Sequence, residues 1–196
     1  MISNNNGLGA PHPMMKNFDL PIEAICNQAH EVAVFRRWAK AQRGLILIAG
    51  LEGSGKTTTA YALMRHAVQK KKRKVFTIES KEHQRIKGVT HLAVDLDNKD
   101  ACHKAFQKTL DGNMDVLFIG GNPALWGPAV KAAKGHHLVM VQFEATCAMH
   151  ALHEFRQATG PAAEDTLVGV VWQELYEDKR SKKRKANYEF IMGNLD

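Results

Sequence analysis

The chain has 196 residues, of which 44% are apolar and 24% charged. That is ordinary globular composition, which excludes a wholly disordered, collagen-like or disulfide-framed chain and leaves room for one domain, or two small ones. The net charge of +7 comes from 27 Lys and Arg against 20 Asp and Glu, but the excess is local: Lys70–Lys74 carries five cations and Lys179–Lys185 six, so the remaining 16 of the 27 face 20 carboxylates. A broadly basic nucleic-acid face is not indicated, although two basic patches are.

Residues 1–16 carry Asn4, Asn5 and Asn6 with two Gly and two Pro, the build of a flexible tail. Residues 17–43 form a helical lead-in: Ile22, Ile25, Ala29, Val32, Ala33, Phe35 and Trp38 recur near helical spacing, and Gly44 stops that helix or pair of helices. From residue 44 to 196 the pattern becomes that of one domain. Leu45–Ala49 is apolar throughout, as a strand buried on both faces must be. Thr58–Gln69 is helical, with Ala60, Leu63, Met64, Ala67 and Val68 on one face. Strands are expected at Val75–Ile78, Leu92–Val94, Val116–Ile119 and Leu138–Phe143. Helices are expected at Asp100–Leu110, Pro128–Lys134 and Ala148–Thr159. Leu167–Tyr176 opens a closing segment and Asn187–Met192 is the last strand. Strands alternating with helices imply crossover connections, hence an α/β fold with a mostly parallel central sheet flanked by helices.

Cys26, Cys102 and Cys147 are isolated and odd in number, which suits reduced thiols. No apolar run approaches the length of about 20 residues that spans a bilayer, and the N-terminus lacks the build of a signal peptide. The expected location is cytoplasmic, with peripheral attachment to an inner-membrane complex as the alternative.

Gly50-Leu51-Glu52-Gly53-Ser54-Gly55-Lys56-Thr57 fits the phosphate-loop pattern in full, after a buried strand and before an amphipathic helix. The glycines let backbone N–H groups converge on phosphate oxygens. Lys56 would reach the β- and γ-phosphates of ATP, Thr57 would ligate the nucleotide's Mg²⁺, and the helix that continues through Thr58 would present its positive end. Such a loop implies nucleotide binding. Hydrolysis also needs a carboxylate and usually an arginine.

The strand and loop from Gly44 through Thr59 resemble those of the secretion ATPase superfamily, the type II secretion and type IV pilus motors including the retraction ATPases. The likeness continues in order along the chain. Val75–Glu79 resembles the family's acidic box, Asp115–Gly120 its Walker B strand, Ala132–Val139 its histidine box, and Leu167–Leu175 with Tyr188-Glu189 its closing segment. The resemblance implies a RecA-like P-loop domain, a catalytic part for Glu79 and a phosphate-sensing part for His137. It also implies assembly into a homo-oligomer or beside a related motor, and partners in a secretion or pilus machine.

The departures from the family pattern carry as much meaning. Ser80, Lys81 and His83 stand where the acidic box has Asp, Pro and a second Glu, and Glu82 is one step out of register. Gly121 stands where the family has its catalytic Glu, followed by Asn122 and Pro123. The arginines that precede Walker B fall on Gln107 and Asp111, and the second His of the histidine box falls on Glu144. Glu144 closes a predicted strand, where ligands of open α/β sheets gather, and it is the candidate replacement carboxylate beside Glu79. The expectation is therefore an ATP-binding subunit with weak or no hydrolysis. The alternatives are an active divergent motor using replacement carboxylates, and a nucleic-acid-binding NTPase using its two basic runs.

Overall fold

The computed structural model describes residues 20–71, 73–80 and 85–193. The expected tail at residues 1–16, and Lys81, Glu82 and His83 of the acidic box, lie outside them. In chain order the elements are α1 (Ile22–Ile25), α2 (Ala29–Lys40), β1 (Gly44–Ala49), α3 (Lys56–Lys71), β2 (Val75–Glu79), β3 (Val89–Ala93), α4 (Lys99–Asp111), β4 (Val116–Gly120), α5 (Trp126–Lys134), β5 (Leu138–Phe143), α6 (Ala148–Thr159), β6 (Leu167–Glu177) and β7 (Arg184–Met192).

The strands form one sheet in the order β3-β2-β4-β5-β1-β6-β7. All neighbours are parallel except β6 and β7, a hairpin. β1 is an interior strand, flanked by β5 and β6, and every residue of it is buried. Its side chains alternate across the sheet, as the two-residue period of a strand requires. Leu45, Leu47 and Ala49 join Leu117, Ile119, Val139 and Val141 in a core closed by Phe106, Trp126 and Phe155 from α4, α5 and α6. Ile46 and Ile48 join Val116, Phe118 and Met140 in a second core, closed by Phe35, Trp38 and Tyr61 from α2 and α3. The fold is thus three layers, helix, sheet and helix, with the sheet buried on both faces.

The lead-in packs as part of the second core. Phe35 and Trp38 meet Phe190 of β7 edge-on, with ring centroids 5.4 and 5.7 Å apart. Arg73, inside the first basic run, is only 8% exposed. Its guanidinium donates to the carbonyls of Ala39 and Ala41, holding the chain where α2 ends. That arginine is therefore structural, and it does not belong to a solvated basic face.

Two strand boundaries differ from expectation because pairing overrides local pattern. β3 runs Val89–Ala93 rather than from Leu92, since each of its residues has a partner on β2, from Val75 opposite Val89 to Glu79 opposite Ala93. β7 begins at Arg184 rather than Asn187, since antiparallel pairing extends to Arg184 opposite Glu177. No described helix is long and apolar enough to cross a membrane. The parallel strands β1, β2, β4 and β5 end along one edge, which is where an open α/β sheet places its ligand.

Candidate functional site

The loop after β1 is held open by backbone that favours glycine. Gly50, Gly53 and Gly55 have φ of +148°, +76° and +91°. At Gly50 a Cβ would also collide with the Gln173 carbonyl and come within 2.5 Å of Ser54 Oγ. Lys56, only 7% exposed, opens α3 and donates to the carbonyls of Gly50 and Leu51, each at 2.8 Å. Its ammonium is thus folded over the start of the loop. The Thr57 hydroxyl donates to Gln142 Oε1 at 3.2 Å. Thr58 is half-buried on the same first turn. Ser54 Oγ is buried and has no hydrogen-bond partner among the described residues.

Two glutamines that motif reading passed over brace this loop. Gln142 interrupts an otherwise apolar strand, β5, and sits between Thr57 and the end of β4, where its carbonyl accepts from Gly121 N–H at 2.9 Å. Gln173 is 1% exposed in β6 and donates through Nε2 to the Ser54 carbonyl at 2.7 Å. In both cases the available signal was a polar residue inside a buried apolar run.

Glu79 is the last residue of β2 and is 4% exposed. Its Oε2 accepts from the Tyr61 hydroxyl at 3.0 Å and lies 3.8 Å from His91 Nδ1. Tyr61 is four residues beyond Thr57 on α3, so both face the same side of that helix, and the acidic box is tied to the loop's own helix. Glu79 also packs against the end of β4: a Cβ on Gly120 would lie 3.3 Å from its Cγ. Gly121 has φ of +68° with open space where a Cβ would stand, so the end of β4 presents no side chain. Asn122 is buried and committed to structure. Its side chain accepts from Ala124 N–H at 2.8 Å and donates to the Leu96 carbonyl at 2.7 Å.

The remaining candidates are placed apart. Glu144 is exposed, one residue past β5. His137 precedes β5 at the opposite edge of the sheet from the loop, with its carbonyl bonded to the Gly44 N–H that begins β1 and its Nδ1 2.8 Å from the Met114 carbonyl. One length of β1 separates it from Gly50, so the structure does not bring His137 to this chain's own phosphate loop. Gln107 and Asp111, at the arginine positions, bond to each other at 2.9 Å along the exposed side of α4.

Beside the loop lies a cleft of about 400 Å³ between the lead-in, the first turn of α3 and the β6–β7 hairpin. Cys26 lines it, its thiol pushed up to about 12 by burial and, secondarily, by the Glu31 and Glu23 carboxylates. Tyr188 lines it too, its phenol raised by burial and its hydroxyl donating to the Ile25 carbonyl at 3.0 Å.

The sheet order, the glycine-shaped loop and the lysine–threonine pair at the start of α3 define a RecA-like P-loop NTPase domain. The chain belongs to the type II/IV secretion system protein family, whose profile matches residues 14–191. It is 26% identical over 180 residues to the twitching motility protein of Neisseria gonorrhoeae, covering 83% of this chain and 47% of that one. It is 29% identical over 160 residues to the type II secretion system ATPase E of Vibrio cholerae, covering 80% of this chain and 32% of that one. The chain therefore spans about half, or less, of the length of these relatives. Among solved structures it superposes on the pilus retraction motor PilT with bound ADP at a TM-score of 0.78 and 23% identity, covering 89% of this chain and 53% of that one.

Proposed function

We propose that this chain is the nucleotide-binding motor domain of a secretion- or pilus-type ATPase that binds ATP and Mg²⁺ but turns ATP over slowly. The observation that carries the reading is the contrast within one site: a fully built phosphate loop, with Gly121 at the end of β4 offering no side chain. The loop fits a phosphate by its own geometry. Ser54 Oγ is a buried acceptor and donor without a partner among the described residues, and no described atom lies within 4 Å of where a Gly53 Cβ would stand.

Gly50, Gly53, Ser54 and Gly55 would wrap the phosphates, Lys56 would exchange its two carbonyls for phosphate oxygens, and Thr57 and Thr58 would line the first turn. Thr57 would hold Mg²⁺, whose charge neutralises the phosphates. Glu79, held by Tyr61, is the carboxylate joined to that helix, and Glu144 is the exposed second candidate. Without a carboxylate at position 121, water is not oriented by a base there, which costs about 10²–10⁴-fold in rate. Gln107 and Asp111 supply no positive charge for the developing negative charge, which costs a further large factor. Members that resemble this chain act in machines, and assembly with itself or with an intact motor, at a cytoplasmic site on a membrane complex, is part of this proposal.

The test is equilibrium binding of a fluorescent ATP analogue beside phosphate release, with oligomer size measured by light scattering. Lys56→Ala removes a charge-assisted contact and should weaken binding by about 10–150-fold, the equivalent of about 1.5–3 kcal/mol. Equal binding by wild type and Lys56→Ala would overturn the site.

A further inference from the structure

The second basic run has no part in the motifs above, and its placement gives it one. It spans the turn between β6 and β7 and the first two residues of β7, Arg184 and Lys185. Asp178 closes that turn: it accepts from Lys185 Nζ at 2.6 Å, from Ser181 Oγ at 2.9 Å and from Arg180 N–H at 3.0 Å, and these bonds hold its carboxyl well below the usual range. Lys185 is thereby neutralised. The side chains of Lys183 and Arg184 are exposed and have no hydrogen bond or ion pair among the described residues. Both line the cleft of about 400 Å³ beside the loop, together with Gly55, Thr58, Thr59 and Gln173.

The order of groups along α3 fixes what this cleft faces. Lys56 serves the β- and γ-phosphates, so a nucleotide seated there directs its α-phosphate and nucleoside past Thr58 and Thr59. The cleft also has apolar lining, at Ala24, Ile25 and Leu175, as a base requires. Gln173 Oε1 is buried without a partner among the described residues, its Nε2 being taken by Ser54. It is an acceptor suited to a ribose hydroxyl or a base amino group.

We propose that Lys183 and Arg184 are nucleotide-binding residues, supplying positive charge to the α-phosphate end of a nucleotide whose nucleoside occupies this cleft. This rests on the reading of the loop as an ATP site, and it adds cations from the hairpin where Gln107 and Asp111 of α4 supply none. Because both side chains are exposed, each contributes about two- to fivefold in affinity, and the effect falls as salt is raised.

The experiment measures affinity for ATP, ADP and AMP at low and high salt. Four proteins are compared with wild type: Lys56→Ala, the pair Lys183→Ala/Arg184→Ala, its charge reversal Lys183→Glu/Arg184→Glu, and the tip pair Lys179→Ala/Arg180→Ala. The hairpin alanines should weaken ATP, ADP and AMP by the same factor, about 5–20-fold at low salt. The reversal should weaken them further, and the tip pair should change them less than about twofold. Lys56→Ala should weaken ATP and leave AMP unchanged. Loss of ATP affinity in Lys56→Ala with none in the hairpin pair would overturn this proposal and keep the ATP site. No loss in Lys56→Ala would instead overturn the ATP site itself. Equal weakening by the tip pair would reduce the effect to diffuse attraction and overturn it. So would loss of single-stranded DNA binding in the hairpin pair with nucleotide affinity intact.

Discussion

Restoring a carboxylate at the end of β4 is the sharpest test of slow turnover, and the structure sets both its cost and its control. Gly121 has φ of +68°, where an L side chain is strained, but the space around a Cβ is open. Gly121→Glu therefore loses about 1–2 kcal/mol of stability from backbone strain and nothing from a clash. For a chain of this size that is a fall in Tm of about 2–8 °C. The gain is a general base next to the phosphate loop, worth up to about 10²-fold in turnover, capped by the absence of arginines at Gln107 and Asp111. Gly121→Gln carries the same strain without the charge, so the ratio of Gly121→Glu to Gly121→Gln isolates the carboxylate. The assay is phosphate release at saturating ATP and Mg²⁺, with affinity and Tm recorded for each protein. If Gly121→Glu is no faster than Gly121→Gln while both bind ATP like wild type, the missing carboxylate at position 121 does not limit turnover. Brisk wild-type turnover that survives Glu79→Gln and collapses in Glu144→Gln would show that the catalytic base stands after β5.

Glu31 is buried at the start of α2, where its Oε2 accepts from the N–H groups of Asn27 and Gln28 at 2.6 and 3.0 Å in a capping box. Glu31→Ala should cost about 1–2 kcal/mol, seen as a lower Tm, and Glu31→Gln should recover most of it by keeping an acceptor. With its thiol at about 12 against an ordinary 9.0, Cys26 has about a thousandfold less thiolate at pH 8 than an ordinary cysteine, and its alkylation should be slow in proportion. The shift is upward, so its contribution to stability is complete below pH 9 and is lost as pH rises toward 12. Alkylation of Cys26 at the rate of a free thiol would contradict this.

The fold was legible because β1 is apolar at every position and the following loop carries its glycines and lysine in a fixed pattern. Both are local signals that tertiary packing reinforces. Where strands begin was less legible, since Val89 and Arg184 are recruited by partners on β2 and β6 rather than by their own neighbours in sequence. The loop followed from its motif, whereas the bond that ties Glu79 to α3 comes from Tyr61, a helix residue that no motif singles out. The place of His137 did not, because a motif gives sequence neighbours and not the edge of the sheet on which they fall. Gln142 and Gln173 act across the sheet on Thr57 and Ser54, and a contact between distant residues leaves little mark in a linear pattern beyond an unexpected polar side chain.

The loop is braced by a residue 119 positions later, Gln173 on Ser54, and β1 takes its two neighbours from β5 and β6. On the ribosome, at about 5–20 residues per second, Ser54 emerges about 6–24 s before the side chain that holds its carbonyl. Until β5 emerges the strand beneath the loop has neither flank, and from then until β6 follows it has only one. The phosphate loop, and with it the proposed nucleotide site, is therefore braced only once β6 has docked beside β1, after all the other neighbours of that strand are in place.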